Sequence, residues 1–224
     1  DGERSLIRIS AALASRDEKA ISLSFKEALG VADNGQVEEV ILQSYLFLGF
    51  HTSLNGMALW RSLSETEPSS SEALDCVGWV DRGEEVCKSV YADKYHKLRQ
   101  NVRDLHPDLE QWMIMEGYGK VLGRPGLSLR IRELCIVASL AVLGSPKQLY
   151  SHLCGALNVG ANVSAVEDAL AEAHSYLDDD ECSMCTFQMR VLTWLDWFNV
   201  AQLVPASDPE CLKMAPGLTN EMLM

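Results

Sequence analysis

The fold is decided by residues 118–160, which read YGKVLGRPGLSLRIRE (118–133), LCIVASLAVLGSP (134–146) and KQLYSHLCGALNVG (147–160). This stretch contains two apolar helical patterns, and the break between them is short. Each pattern carries one residue that can take part in proton transfer, Glu133 in the first and His152 in the second. Because consecutive helices with a short connection are usually neighbours in space, we expect these two residues to lie close together.

The first helix has a clear start and an unusually apolar body. Ser128 is a residue type that caps helix N-termini. From Leu134 to Leu143 the sequence is apolar except for Ser139, which predicts a helix surrounded by protein on all sides. Glu133 lies about one turn inside the predicted start, where the helix dipole favours an anion.

The second helix begins at Ser145-Pro146, because Ser can cap a helix and Pro is tolerated at the first helical position. Its apolar stripe consists of Leu149, Leu153, Ala156 and Leu157. His152 follows Leu149 by three positions and precedes Ala156 by four. The spacing therefore places His152 on the apolar face of the helix.

The rest of the chain also reads as helices, so the predicted fold class is all-α. No segment shows the alternation of a half-buried strand. Helical spacing indicates helices over 6–14, from Asp17 to a stop at Gly30, over 37–48, and over about 53–63. Helices resume near Glu84 and run to Val121, with a break at residues 106–107.

Composition and a faint internal repeat suggest the domain organisation. Residues 1–63 form a degenerate N-terminal helical repeat, 64–83 a linker rich in Ser and Glu, and 84–224 a C-terminal repeat. The segment 25–31 aligns with 153–159 at an offset of 128 residues. At that offset Glu133 corresponds to Ser5 and His152 to Ser24, so only the second repeat carries the Glu–His pair. A chance likeness between two amphipathic helices is the alternative.

Charge and cysteine content narrow the possible partners and the compartment. The formal net charge is −13, which argues against nucleic acid and anionic membrane surfaces, since both require a basic surface. No apolar run reaches the length of a membrane span, and no signal peptide is recognised. The seven cysteines are an odd number, mostly within apolar helices, and predict reduced thiols in a cytoplasmic protein.

A Glu and a His in apolar surroundings can support proton transfer, because the carboxylate orients and stabilises the imidazolium. The alternative is a buried bond that only joins two helices. Four cations lie near this region, and they either receive a carboxylate-bearing substrate or form surface salt bridges. These cations are Arg124, Arg130, Arg132 and Lys147.

Several elements of residues 108–169 together resemble the carboxymuconolactone decarboxylase family, which includes the alkylhydroperoxidase D-type proteins. The shared features are an aromatic-Gly pair, an Arg-Pro-Gly-Leu turn, an Arg before the central helix, and a His-x-x-x-Ala-Leu-x-x-Gly run. They correspond here to Tyr118-Gly119, residues 124–127, Arg132, and His152 to Gly160. The resemblance implies an all-α helical bundle of the alkylhydroperoxidase D-like type. It also implies a ring-like homo-oligomer, a trimer if each chain carries two repeats, or else a dimer.

The resemblance implies two possible activities. Hydroperoxidase-type members carry a Cys-x-x-Cys before the His, and the corresponding positions here are Ser145 and Gln148. Without that thiol pair, we expect cofactor-free proton transfer or decarboxylation on a small carboxylate or lactone, with no metal. The alternatives are a thiol-dependent peroxide reductase and a non-catalytic oligomeric scaffold.

The implied site consists of His152 as general acid and base, Glu133 as the group that orients it, and a substrate-binding set formed by Arg132, Arg124 and Tyr118. The chain departs from typical decarboxylases in two respects. They carry a small residue where this chain has Glu133, and Trp where it has Tyr118 and Leu122. The substrate, in that branch the lactone of the β-ketoadipate route, is therefore left open.

A second Cys-x-x-Cys, Cys182 to Cys185, lies outside the family position. It follows the acidic run 178–181, and neighbouring carboxylates destabilise a thiolate. One such pair also lacks the further ligands that a structural zinc site needs. We expect neither redox nor metal chemistry there. The apolar residues Trp194, Trp197 and Phe198 suggest a core face or an oligomer contact.

Overall fold

The computed structural model describes residues 1–177, which form an all-α helical bundle without a strand in that range. One of its helices is a π-helix of ten residues, Met113–Leu122. The α-helices are α1 (Gly2–Ser15), α2 (Glu18–Ala28), α3 (Asn34–Leu48), α4 (Phe50–Ser64), α5 (Cys76–Tyr91), α6 (Tyr95–Leu105), α7 (Pro107–Trp112), α8 (Leu129–Val142), α9 (Pro146–Asn158) and α10 (Val163–Ala173). Over residues 1–177, none of these helices has the length and apolarity to cross a membrane.

Short polar side chains set the helix starts. Asp17 accepts hydrogen bonds from the backbone N–H groups of Lys19 and Ala20, and Ser128 accepts one from Ile131. Both caps confirm the sequence-based starts of α2 and α8. Ser145 occupies the cap position of α9 but its side chain makes no capping bond, so Pro146 at the first helical position is the remaining start signal.

The α8 helix is the centre of the bundle. Eleven consecutive residues, from Ile131 to Ala141, are buried, which confirms that protein surrounds this helix on all sides. It crosses α1, where the hydroxyl groups of Ser10 and Ser139 lie 2.7 Å apart. The Ser10 hydroxyl also donates to the carbonyl of Cys135, and the Ser139 hydroxyl to that of Ser10, so the buried polar groups at the crossing satisfy one another.

The helix bounds agree with the internal repeat. A shift of 128 residues carries α1 onto 130–143, α2 onto 146–156 and α3 onto 162–176. The observed α8, α9 and α10 cover 129–142, 146–158 and 163–173. At the position that corresponds to His152, the Ser24 hydroxyl donates to the carbonyl of Ile21 in its own helix. The first copy thus has the helices without the Glu–His pair.

The α5 helix starts earlier than the sequence indicated. It begins at Cys76, inside the segment 64–83 predicted as a linker, rather than near Glu84. The Asp75 carboxylate accepts from the N–H of Gly78 and caps this start. Val77 and Val80 are exposed, so the apolar residues here show only weak helical spacing. For this reason the sequence indicated a linker where the first two turns of α5 lie.

Two glycines allow α5 to approach the π-helix. A Cβ atom added at Gly119 would lie 1.8 Å from the carbonyl oxygen of Trp79, and one at Gly83 would lie 2.0 Å from that of Ile114. No side chain fits at either place, because the obstacle is backbone. The break predicted at residues 106–107 is observed between α6 and α7, just before the π-helix.

Several predicted features lie outside the described residues. These are the Cys182–Cys185 pair and the apolar residues Trp194, Trp197 and Phe198, all within 178–224. The trimer or dimer, and the division of the chain into domains, stay predictions.

We expect Gly119→Ala to destabilise the fold by about 1–3 kcal/mol, since its methyl group would collide with the α5 backbone. Gly117→Ala in the same π-helix is the matched control, because the nearest atom to its added Cβ, the carbonyl oxygen of Trp112, is 4.0 Å away. Urea unfolding followed by circular dichroism measures both. Equal stability of the two variants would contradict the close contact.

Candidate functional site

The structure brings Glu133 of α8 and His152 of α9 into direct contact. The Nδ1 atom of His152 lies 2.8 Å from Oε2 of Glu133. Glu133 is 0% exposed and His152 is 6% exposed. The expectation that these two side chains lie within hydrogen-bond reach is confirmed.

A glycine one turn after His152 makes room for the carboxylate. A Cβ atom added at Gly155 would lie 2.6 Å from Cγ1 of Val90 and 2.9 Å from Oε2 of Glu133. Only a residue without a side chain lets α9 approach α5 and α8 together at this level. The Asn158 side chain, one turn further, donates to the carbonyl of Val90 and holds α9 against α5.

Each member of the pair has one polar atom that makes no hydrogen bond within residues 1–177. Among residues 1–177, Oε1 of Glu133 is buried without a hydrogen-bond partner. In the same range, the bond from Nδ1 to Glu133 is the one hydrogen bond of the His152 ring, so Nε2 is left for another group. A buried carboxylate oxygen without a donor costs free energy, and such exceptions often mark sites that bind something else.

Aromatic side chains and a thiol surround the pair. The Phe47 ring meets the His152 ring edge to face, with 5.9 Å between the centroids. The Tyr91 and Tyr118 rings meet in the same way at 6.0 Å. Burial raises the pKa of Tyr118 well above its usual range, with further contributions from Tyr91 and Glu133, so Tyr118 lies within electrostatic range of the carboxylate.

Neighbouring groups on α5 share this environment. Burial raises the pKa of Tyr91 to about 12 and that of the Cys87 thiol to about 12, and Glu133 adds to both shifts. Both groups therefore stay protonated at neutral pH. They form a neutral wall on the α5 side of the Glu133 carboxylate.

Three of the four predicted cations pair with carboxylates other than Glu133. Arg132 is 0% exposed and donates from Nη2 to Glu39 of α3 at 2.8 Å and to the carbonyl of Arg124. Arg124 binds both carboxylate oxygens of Glu39 and lies 3.4 Å from Glu72. Hydrogen bonds to Glu39 raise the pKa of Arg124. Arg130 pairs instead with Glu3 at 2.5 Å.

Of the five predicted site residues, three lie together and two lie elsewhere. Tyr118 joins Glu133 and His152, whereas Arg132 and Arg124 point to α3. Three neighbours of the pair were not predicted, namely Phe47, Tyr91 and Gly155. Of these three, only Gly155 had a signal in the sequence. A small residue three positions after His152 lies on the same helix face and allows a neighbouring helix to come close. Within residues 1–177, no three His, Cys, Asp or Glu side chains are grouped to hold a metal ion.

We expect His152→Leu to destabilise the protein by about 3–5 kcal/mol, because it leaves the Glu133 carboxylate buried without a partner. The double variant Glu133→Met with His152→Leu should be more stable than this single variant, since it removes the buried charge as well. Urea unfolding at pH 7 of both singles and the double gives the coupling energy. Additive losses would show that the two side chains do not depend on each other.

Comparison with known proteins agrees with this placement. The model of the carboxymuconolactone decarboxylase family matches residues 108–183, a range that contains both Glu133 and His152. A curated relative, 4-carboxymuconolactone decarboxylase from Acinetobacter baylyi (strain ATCC 33305 / BD413 / ADP1), is 27% identical over 96 residues. That alignment covers 42% of this chain and 72% of the relative. Over the segment that builds the buried Glu–His pair, the chain is therefore similar to the carboxymuconolactone decarboxylase family.

Proposed function

We propose that this protein is a cofactor-free enzyme that transfers a proton at His152 and decarboxylates a small carboxylate or lactone. The single observation that carries the proposal is the 2.8 Å contact between His152 Nδ1 and the buried Glu133 carboxylate. The family match and the name of the Acinetobacter relative support the reaction class.

The geometry supports a defined role for each nitrogen of His152. An ionised Glu133 only accepts hydrogen bonds, so Nδ1 carries the proton and donates it to the carboxylate. The Nε2 atom is then the basic nitrogen that accepts a proton from water or substrate. Glu133 stabilises the resulting imidazolium without taking its proton, which is the usual role of a buried carboxylate behind a catalytic His.

In the proposed reaction, the bond between the substrate carbon and its carboxylate breaks, and CO₂ leaves. The electron pair of that bond moves onto the conjugated carbonyl group of the lactone. The His152 imidazolium then donates its Nε2 proton to the carbon next to the lactone carbonyl, and the carbon that lost CO₂ becomes part of the new double bond. Water returns the proton to Nε2, so each turnover consumes one proton and needs no oxidant or reductant.

We assign Arg132 and Arg124 to positioning rather than to substrate binding. Their guanidinium groups hold Glu39, and Arg132 is fully enclosed at the residue next to Glu133. The contact with α3 therefore fixes the first turn of α8. In this proposal, the enclosed Arg132 determines where the Glu133 carboxylate points.

Thiol chemistry has little support in the described part of the chain. The family thiol positions hold Ser145 and Gln148. Burial raises the pKa of both Cys87 and Cys135 to about 12, so neither forms a nucleophilic thiolate at neutral pH. The peroxide reductase alternative therefore depends on other cysteines of the chain.

We expect His152→Gln to lower kcat for decarboxylation of 4-carboxymuconolactone by about 10²–10⁴, because Gln cannot transfer the proton. Glu133→Gln should lower kcat as well, since a neutral amide stabilises the imidazolium less. Ser151→Ala is the matched control on α9, because within residues 1–177 the Ser151 hydroxyl bonds only to the carbonyl of Lys147. Release of CO₂ measures the rate, and the reaction in D₂O should place one deuterium at the carbon next to the lactone carbonyl.

Two results would contradict this function. Undiminished turnover in a folded His152→Gln variant would remove His152 from the mechanism. Absence of CO₂ release by the folded wild-type protein would favour the non-catalytic scaffold instead.

We expect the double variant Cys182→Ser with Cys185→Ser to leave the decarboxylase rate unchanged, because the proposed mechanism uses no thiol. The same protein should show little turnover of an organic hydroperoxide in the presence of a dithiol reductant. Rapid peroxide turnover that disappears in the double variant would establish the peroxide reductase alternative.

A further inference from the structure

A cavity lies between α3, α4 and the π-helix, away from the Glu133–His152 pair. Its volume is about 450 Å³, within the range of small-molecule sites. The walls are mostly apolar, and two cations stand on the π-helix side. The lining residues are Ile41, Leu42, Tyr45, Phe50, Ser53, Leu54, Met57, Lys120, Val121 and Arg124.

This cavity is separate from the Glu133–His152 pair. On α3, Tyr45 lines the cavity while Phe47, two positions later, contacts His152. Two positions along an α-helix correspond to about 200° of rotation, so the two residues point to nearly opposite sides. The π-helix is divided in the same way, with Lys120 in the cavity wall and Tyr118 on the side of Glu133.

The apolar wall contains side chains that are unusually exposed for their size. Phe50 is 63% exposed, Leu54 is 51% and Leu42 is 39%. They stand together on α3 and α4 around one opening. Large apolar side chains grouped around a cavity provide a favourable surface for an apolar ligand, because binding removes them from water.

The polar side of the cavity is cationic although the whole chain carries a net charge of −13. The ion pairs behind it link Arg82, Arg124 and Arg132 through Glu39 and Glu72, which leaves three guanidinium groups for two carboxylates. Lys120 and Glu116 add one cation and one carboxylate, 3.4 Å apart, so the excess is one positive charge; the Lys120 ammonium group is 5.7 Å from the centre of the Tyr45 ring. Its side chain is 42% exposed.

The occupied hydrogen bonds argue against a strongly polar ligand. The Tyr45 hydroxyl donates to Glu116, and the Ser53 hydroxyl donates to the carbonyl of Ile41. A sugar or nucleotide would find few free partners on these walls. A ligand with one anionic group and an apolar body matches both the cation at the edge and the apolar interior.

We propose that this cavity is a binding site for a single-chain fatty carboxylate, with its carboxylate at Lys120 and its hydrocarbon chain among Leu42, Phe50, Leu54 and Met57. The site lies apart from the proposed catalytic pair and does not depend on the proposed decarboxylase activity. Lys120 is the main anion partner, because Arg124 already binds two carboxylates.

Calorimetric titration of the full chain with decanoate, kept below its micelle concentration, tests this site. We expect saturable binding of about one decanoate per chain, and weaker binding of decanol, which has the same chain without the charge. Lys120→Met keeps the length of the side chain but removes the cation, so decanoate affinity should fall about tenfold while decanol affinity stays the same.

Lys88→Met is the matched control. Lys88 also stands four residues after a Glu, with 3.5 Å to Glu84, and 5.3 Å from a Tyr ring centre, but it lies outside the cavity. This variant should bind decanoate like the wild type. Leu54→Asp, at an exposed position, should abolish binding of both ligands, and circular dichroism checks that each variant is folded.

Four outcomes would overturn the proposal. They are absence of decanoate binding, equal affinity for decanoate in Lys120→Met and wild type, an equal loss in Lys88→Met, and full binding by folded Leu54→Asp. Sedimentation of the same Leu54→Asp variant tests whether a second copy of the chain, rather than a ligand, covers this surface. A fall in oligomer mass without any decanoate binding by the wild type would assign this face to a second copy of the chain.

Discussion

The structure depends on two adjacent charges in its most buried helix. Arg132 and Glu133 are both 0% exposed, and each needs a partner because an unpaired buried charge costs several kcal/mol. Successive residues on a helix point about 100° apart, so the two partners come from different helices. Glu39 of α3 pairs with Arg132, and His152 of α9 pairs with Glu133. These two pairs hold α3 and α9 at defined places around α8.

The two similar helical segments differ in the Glu–His pair. Both segments contain three helices in the same order, and α1 packs against α8 through the serine contacts. Serines stand in the first half where the second half has Glu133 and His152, so α1 and α2 carry no buried charge at these positions. A neutral core is usually at least as stable as a buried ion pair. Stability alone therefore does not require the Glu–His pair, which agrees with a chemical role.

Local signals determined what was predictable from the sequence. Caps at Asp17 and Ser128, the unbroken apolar run of α8 and the short connection to α9 predicted the all-α fold and the Glu133–His152 contact. The partner of Arg132 was not predictable, because Glu39 is 93 residues away and looked like part of an ordinary acidic helix start. The π-helix also escaped detection, since its spacing differs little from α-helical spacing in a short segment. Because Glu39 was not recognised as their partner, the sequence left two interpretations of Arg124 and Arg132 open, substrate binding and surface salt bridges.

Glu39 connects the surroundings of the Glu133–His152 pair with the cavity between α3, α4 and the π-helix. Its carboxylate accepts hydrogen bonds from Arg132, next to Glu133, and from Arg124, in the wall of that cavity. Both guanidinium groups compete for the same two oxygens, so a change in the bonds of Arg124 alters the charge that Arg132 experiences. Arg132 in turn sits in the first turn of α8 and determines the position of Glu133. The surroundings of the Glu133–His152 pair are thus set partly by the side of the bundle that faces away from it.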